Sequence, residues 1–224
     1  MFRDRLDAGR ELAVALQKYR DRAPVVVALP RGGVPVGYEV ARALDAPLDV
    51  IIARKLGAPG HPELGVGAIA QGGALYLDAE LIARLGVTSA WLKRVAHDEM
   101  GELQRRLRLY RGDRLPLDVA GRTVIVVDDG LATGVTVRAA VRALRTQEPH
   151  ELVVAVPVCA AQTARALRGE VDDVVCAVTP EDMYAVGAWY LDFDPTSDEE
   201  VLALLARARR DDPGRVSLPP VDRS

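Results

Sequence analysis

Three observations predict an α/β fold with an open, mainly parallel sheet flanked by helices. Short β-branched apolar runs recur along the chain. Stretches with apolar residues at helical spacing separate them. Strand, turn, helix, strand is the grammar of the βαβ unit, which places its two strands parallel.

The elements follow in order. Residues 5–20 carry apolar side chains at helical spacing, through Leu6, Leu12, Ala13, Leu16 and Tyr19. The run Val25 to Leu29 reads as a first strand and ends in Pro30-Arg31-Gly32-Gly33. A helix is expected from Val34 to Leu44, then a second strand from Leu48 to Ala53. Residues 54–65 hold three glycines and two prolines, which predicts a loop. Val66–Ala70 and Ala74–Leu77 flank Gln71-Gly72-Gly73 and read as a hairpin. Thr88 or Ser89 caps a long helix running to about Tyr110. Residues 88–114 carry seven Lys/Arg against four Asp/Glu, so this helix is locally basic.

Thr123 to Asp128 is another buried strand, followed by a turn and a helix from Val135 to Thr146. Strand Leu152–Val158, helix Ala161–Leu167 and strand Asp173–Val178 continue the parallel pattern. Ser197 with Glu200 forms a capping box that opens a helix through Arg207. No repeat or low-complexity linker appears, so a single domain over 1–210 is expected, with a flexible tail over 211–224.

Composition narrows the function. The chain has 224 residues, enough for one large domain with a real core. Its formal net charge of −3 argues against a dedicated nucleic-acid binder, because phosphate neutralisation needs surplus positive charge. The two cysteines, Cys159 and Cys176, sit in apolar runs and read as buried free thiols in strands. Met1 to Arg5 opens no apolar signal region, and no apolar stretch approaches a membrane span. A cytoplasmic protein without a membrane partner is expected.

The chemistry concentrates in Val124 to Thr136. A buried strand delivers two adjacent carboxylates, Asp128 and Asp129, at its carboxyl end, where open α/β sheets bind ligands. The small-residue turn Gly130-Leu131-Ala132-Thr133-Gly134 follows, and Val135 and Thr136 open the next helix. Free N–H groups at a helix start hold a phosphate, and threonine hydroxyls add donors. A phosphate on a sugar explains both halves: the turn takes the phosphate and the acids accept from sugar hydroxyls.

This segment resembles the phosphoribosyl-diphosphate (PRPP) signature of type I phosphoribosyltransferases. Asp-Asp-x-Leu-Ala-Thr-Gly-x-Thr is most similar to the adenine branch, with Gly130 standing where a larger apolar residue is usual. Ala132 replaces the aspartate usual in the 6-oxopurine branch. Two further loops agree. Arg31-Gly32-Gly33 matches the pyrophosphate loop, and Arg54-Lys55-Leu56-Gly57-Ala58-Pro59-Gly60 resembles the start of the mobile loop, one residue short. The resemblance makes residues 78–118 a helical insertion and residues 179–200 a hood over the base, whose Tyr184 to Phe193 run is similar to the aromatic-x-Val-Gly…Leu-Asp-aromatic segment of hypoxanthine/guanine enzymes and pulls against Ala132.

That hood holds seven Asp/Glu, no Lys/Arg and four of the ten aromatics. Tyr184, Ala185, Trp189 and Asp192 are its candidate base contacts. The resemblance implies transfer of a 5-phosphoribosyl group from PRPP to a nitrogen acceptor, a purine being favoured, with Mg²⁺ and release of pyrophosphate. Residues 130–136 would hold the 5′-phosphate. Arg31, Gly32, Gly33, Arg54 and Lys55 would hold pyrophosphate. Asp128 and Asp129 would hold the ribose hydroxyls, with the metal through water. Glu63 is the candidate general acid/base, with His61 second. A homodimer or higher homo-oligomer is the expected assembly. The alternative is a PRPP or nucleotide sensor of the same fold with little catalysis, motivated by the basic helix.

Overall fold

The computed structural model describes residues 1–211. Five parallel strands form the main sheet: β1 (Val25–Ala28), β2 (Leu48–Val50), β6 (Thr123–Val127), β7 (Glu151–Val158) and β8 (Asp173–Val178). Their spatial order is β2-β1-β6-β7-β8. Helices α1 (Arg5–Leu16), α2 (Gly33–Leu44), α5 (Val135–Arg145), α6 (Ala161–Leu167) and α7 (Asp198–Asp211) cover its faces.

Both faces of the central strands are buried, which explains their unbroken apolar runs. Side chains alternate across a strand. Val26, Ala28, Ile125 and Val127 therefore enter one core, with Leu12, Leu16, Val40 and Leu44. Val25, Val27, Val124 and Val126 enter the other, with Val137, Val141, Leu144 and Leu167. The chain runs outward in one direction from β1 and in the other from β6, so the adjacent carboxyl ends of β1 and β6 form a switch point. Crevices at such points are where open α/β sheets take their ligands.

A second sheet of three antiparallel strands joins β3 (Ala53–Ala58), β4 (His61–Ala70) and β5 (Leu75–Leu77). The hairpin around Gln71–Gly73 is present. Residues 54–65 correct the expectation of a loop. They are strand for most of their length, paired from Ala53↔Ala70 to Ala58↔His61 with register shifts around Gly57. The glycines serve the hairpin: Gly60 turns at φ +72°, and Gly57 packs against the Pro62 backbone where a Cβ would lie 2.7 Å from its Cα.

The basic segment is α4 (Ser89–Arg111), capped by Thr88, whose Oγ1 accepts from the Trp91 amide at 3.2 Å. A separate short helix, α3 (Ala79–Leu85), precedes it under an Asp78 cap. β2 stops at Val50, three residues earlier than expected, though Ile51 and Ile52 remain buried. The cysteine expectation needs two corrections. Cys159 is buried but lies just past β7, and Cys176, on β8, is only half-buried. α7 extends to Asp211, inside the expected tail; residues 212–224 of that tail lie outside the described residues.

The N-terminus is stitched to the segment before α7. Phe2 bridges Tyr190 in parallel, and the Leu191 and Asp192 amides donate to the carbonyls of Phe2 and Arg3. Phe2, Tyr190, Met183, Val186, Trp189 and Phe193 form a small apolar cluster there.

Candidate functional site

β6 ends at Val127 and places Asp128 and Asp129 beside the loop after β1. The two glycines of that loop are there because the acids lie directly beneath. A Cβ on Gly32 would overlap the Asp129 carboxylate, at 2.6 Å from its Cγ. A Cβ on Gly33 would sit 2.8 Å from the Val127 carbonyl oxygen and 2.9 Å from the Asp128 Cα. The Pro30–Arg31 peptide in this loop is cis.

Asp128 Oδ1 accepts from the Asp129 amide at 2.9 Å. Asp129 Oδ2 accepts from Arg5 Nε at 2.8 Å. Among the described residues, Asp128 Oδ2 and Asp129 Oδ1 accept from no protein donor, so each acid keeps one open oxygen. Burial pushes the Asp128 carboxyl well above the usual carboxylate range, and the neighbouring Asp129 charge adds to it. Burial also raises Asp129, while Arg5 pulls it back.

The turn after the acids is fixed by its own backbone. The Leu131 amide donates to the Val158 carbonyl at 2.9 Å, and the Ala160 amide donates to the Leu131 carbonyl at 2.9 Å. Thr163 of α6 donates its hydroxyl to the Ala132 carbonyl. Gly134 turns at φ +70° to start α5. Among the described residues the amides of Ala132, Thr133 and Gly134 donate to no protein acceptor. With the first-turn amides of Val135 and Thr136, they form a set of open donors at a positive helix end. Gly130 does not leave a gap: a Cβ there would lie 2.5 Å from Val186 Cγ1 and 2.9 Å from Val158 Cγ1. The missing side chain is replaced by one arriving from residues 179–200.

The expected pyrophosphate contacts are dispersed. Lys55 lies along Gly65 beside Val135, at the start of α5, and its Nζ donates to the Glu63 carbonyl at 2.8 Å. Arg54 points to α4, its Nε 2.6 Å from Glu99 Oε2. Arg31 is exposed and stands 3.8 Å from Asp198, which also accepts from the Tyr110 hydroxyl. Glu63 is 96% exposed on its side chain, with Lys55 Nζ 3.1 Å away, and His61 is exposed at the hairpin end. Around the hood, Tyr184 is 99% exposed and Ala185 is exposed, while Trp189 is half-buried. The exposed Asp192 accepts from the Asp194 amide. The structure therefore brings together Asp128, Asp129, Gly32, Gly33 and residues 130–136, keeps Lys55 with Glu63 on the hairpin, and leaves Tyr184 and Glu63 at the surface.

Four contributors escaped the sequence reading: Arg5, Tyr190, Thr163 and Val186. Tyr190 donates to the Asp129 carbonyl at 2.6 Å. Val186 lies in the aromatic-x-Val-Gly run and the others carry no local motif; each acts through a contact more than thirty residues away in the chain.

Magnesium suits the donor set here. Among the described residues, no cluster of three or more His, Cys, Asp or Glu forms a cage. The open oxygens of Asp128 and Asp129 are hard donors, the kind an ion that keeps several waters takes.

Comparison with known proteins agrees with this architecture. Residues 3–193 match the phosphoribosyl transferase domain, and the chain belongs to that family. A Mycobacterium tuberculosis protein that carries the name of a phosphoribosyl transferase is 44% identical over 211 residues. That match covers 94% of this chain and 48% of the relative, so the chain spans about half the length of the curated relatives it matches. The crystal structure of TT1426 from Thermus thermophilus superposes with a TM-score of 0.77 at 43% identity, covering 92% of this chain and 98% of that one. No helix among the described residues is long and apolar enough to cross a membrane.

Proposed function

We propose that the chain transfers a 5-phosphoribosyl group from PRPP to a nitrogen acceptor, a purine base being favoured, and releases pyrophosphate. The observation that carries this reading is the set of open amides at Ala132 to Gly134, one step beyond two acids that each keep a free oxygen.

The C1–oxygen bond to pyrophosphate breaks, positive charge develops on the sugar ring, and the acceptor nitrogen bonds to C1. The chain's task is to place the sugar, stabilise charge and keep water out. The amides of 130–136, with the Thr133 and Thr136 hydroxyls, bind the 5′-phosphate. Asp128 and Asp129 accept from the ribose hydroxyls. Gly32 and Gly33 let the pyrophosphate approach the backbone, and Lys55 supplies a cation from beside α5. Arg31 and Arg54 join it by leaving Asp198 and Glu99. Glu63 at the hairpin rim moves the acceptor's proton once the hairpin closes. Tyr184, Ala185, Trp189 and Asp192 line the acceptor's side. Asp128 and Asp129 are the residues that would hold a magnesium ion, which would supply positive charge for the leaving pyrophosphate.

The second reading, a PRPP or nucleotide sensor of the same fold, rests on the basic α4, where Arg105 and Arg106 share Glu102, Arg111 pairs with Asp49 and Arg94 stacks on Trp91.

An acceptor panel with PRPP and Mg²⁺ tests the proposal, with adenine, 6-oxopurines, uracil and orotate assayed for pyrophosphate release. Turnover with one acceptor, lost by about 10²-fold or more in D128N/D129N, is the expected result. Unchanged kinetics in the double variant would remove the ribose-binding role.

A further inference from the structure

One cation reaches the acid pair from the far end of the chain. Arg5 opens α1 immediately after its Asp4 cap, and its side chain runs to the switch point. Nε donates to Asp129 Oδ2 at 2.8 Å, and Nη1 donates to the Asp194 carbonyl at 2.7 Å. The guanidinium carbon lies 3.9 Å from the centre of the Phe193 ring. The side chains of Arg5 and Asp129 are only 11% and 16% exposed.

Withdrawing two charges from water costs roughly what their attraction returns, so such a pair is weak evidence of a stability role. Its geometry is the informative part. A guanidinium presents a flat face and several fixed N–H directions. Here the face meets Phe193, one N–H meets a carbonyl and a third direction meets the acid. Two separate anchors aim one side chain at a single carboxylate oxygen.

We propose that Arg5 is a positioning residue of the phosphoribosyl site, fixing the Asp129 carboxylate so that Oδ1 is left to accept from a sugar hydroxyl. The inference rests on the ribose-holding role assigned to Asp129 above. Without Arg5 the carboxylate turns about its own side-chain bonds, and Asp128 beside it repels it from the productive orientation. Arg5 touches no substrate; it acts through Asp129. Gly32 completes the arrangement, because its missing side chain is what admits the Asp129–Arg5 pair beneath the loop: a Cβ there would lie 3.1 Å from Arg5 Nε.

Calorimetric titration of the full chain with PRPP and Mg²⁺, beside initial-rate kinetics, tests this with R5M, R5K, D129N and R5M/D129N. R5M should bind PRPP about tenfold more weakly or worse, with KM for PRPP raised and KM for the acceptor within about twofold of the parent. R5K should fall between. The double variant should be no weaker than D129N alone, the non-additivity expected of residues acting as one unit. A folded R5M with parental PRPP affinity overturns the proposal, as do losses that add in full in the double variant. If R5M does not fold, F193L carries the test: it removes the ring beneath the guanidinium together with its packing on Tyr190, and unchanged PRPP affinity overturns the proposal. A parent chain that takes up neither PRPP nor any nucleoside monophosphate overturns the site assignment instead, and this inference with it.

Discussion

Asp128 concentrates the tension between stability and use. Its carboxyl is buried beside a second acid, and its proton affinity rises on folding. A group that binds its proton more tightly when folded takes stability away as pH climbs past the ordinary value of 3.8. Asn at this position removes that charge, so D128N should melt at a higher temperature than the parent at about pH 7.5 without ligand, and the gain should shrink near pH 4. The same variant should lose PRPP binding. Thermal melts at the two pH values, with calorimetry, check both halves. Gly32 tests the opposite face of the pair. G32A forces a methyl into the Asp129 carboxylate, and overpacking of this kind costs about 1–3 kcal/mol. A lower melting temperature and a fall in kcat/KM for PRPP are expected. At this scale the acids and the two glycines were legible in the sequence, because strand, turn and helix signals adjoin them. Arg5 was not, because its partner lies 124 residues away and a lone arginine in a helix's first turn carries no signal.

Two elements brace the loops of the site. α6 supplies Thr163, whose hydroxyl bonds the Ala132 carbonyl and whose methyl fills the space beside Gly134. T163V keeps the shape and loses the bond. A stability loss of about 1 kcal/mol is expected, with a several-fold higher KM for PRPP in steady-state assays. The β3–β4 hairpin is tethered to α4 by the Trp91 indole N–H, which donates to the Gly57 carbonyl at 3.2 Å, and by Arg54–Glu99. W91F removes one tether, so amide exchange over residues 54–64 should quicken several-fold, which hydrogen-exchange mass spectrometry reads directly. This hairpin is where the sequence misled. Gly57, Gly60, Pro59 and Pro62 read as loop residues, yet they permit a bulged, tightly turned pair of strands. Strands β6 and β7 were legible because both of their faces are covered, so apolar residues run on without a break.

Across the molecule, the N-terminal residues and the segment leading into α7 meet beside the site. The N-terminal residues pair with the segment around Tyr190, α1 carries Arg5 inward, and the Asp198 start of α7 meets Arg31 and Tyr110. Phe2 anchors this closure, 1% exposed, with its ring centre 5.4 Å from that of Tyr190. F2A should cost about 3–5 kcal/mol and raise KM for PRPP along with it, a joint change visible in denaturant melts and kinetics. Long-range closure of this kind leaves little trace in local patterns. The layered architecture around the parallel sheet leaves much more, since every βαβ step repeats the same spacing of apolar runs and helices.

Gly130 and Val186 share one volume, a valine methyl occupying the place a side chain at 130 would need. Residue 130 can therefore grow only if its neighbours give way, Val186 first and Val158 with it. Enlarging residue 130 requires shrinking residue 186, and a set of homologous sequences should show that exchange as paired variation. An engineer wishing to restore a bulky residue after Asp129 would have to carve out Val186 in the same step.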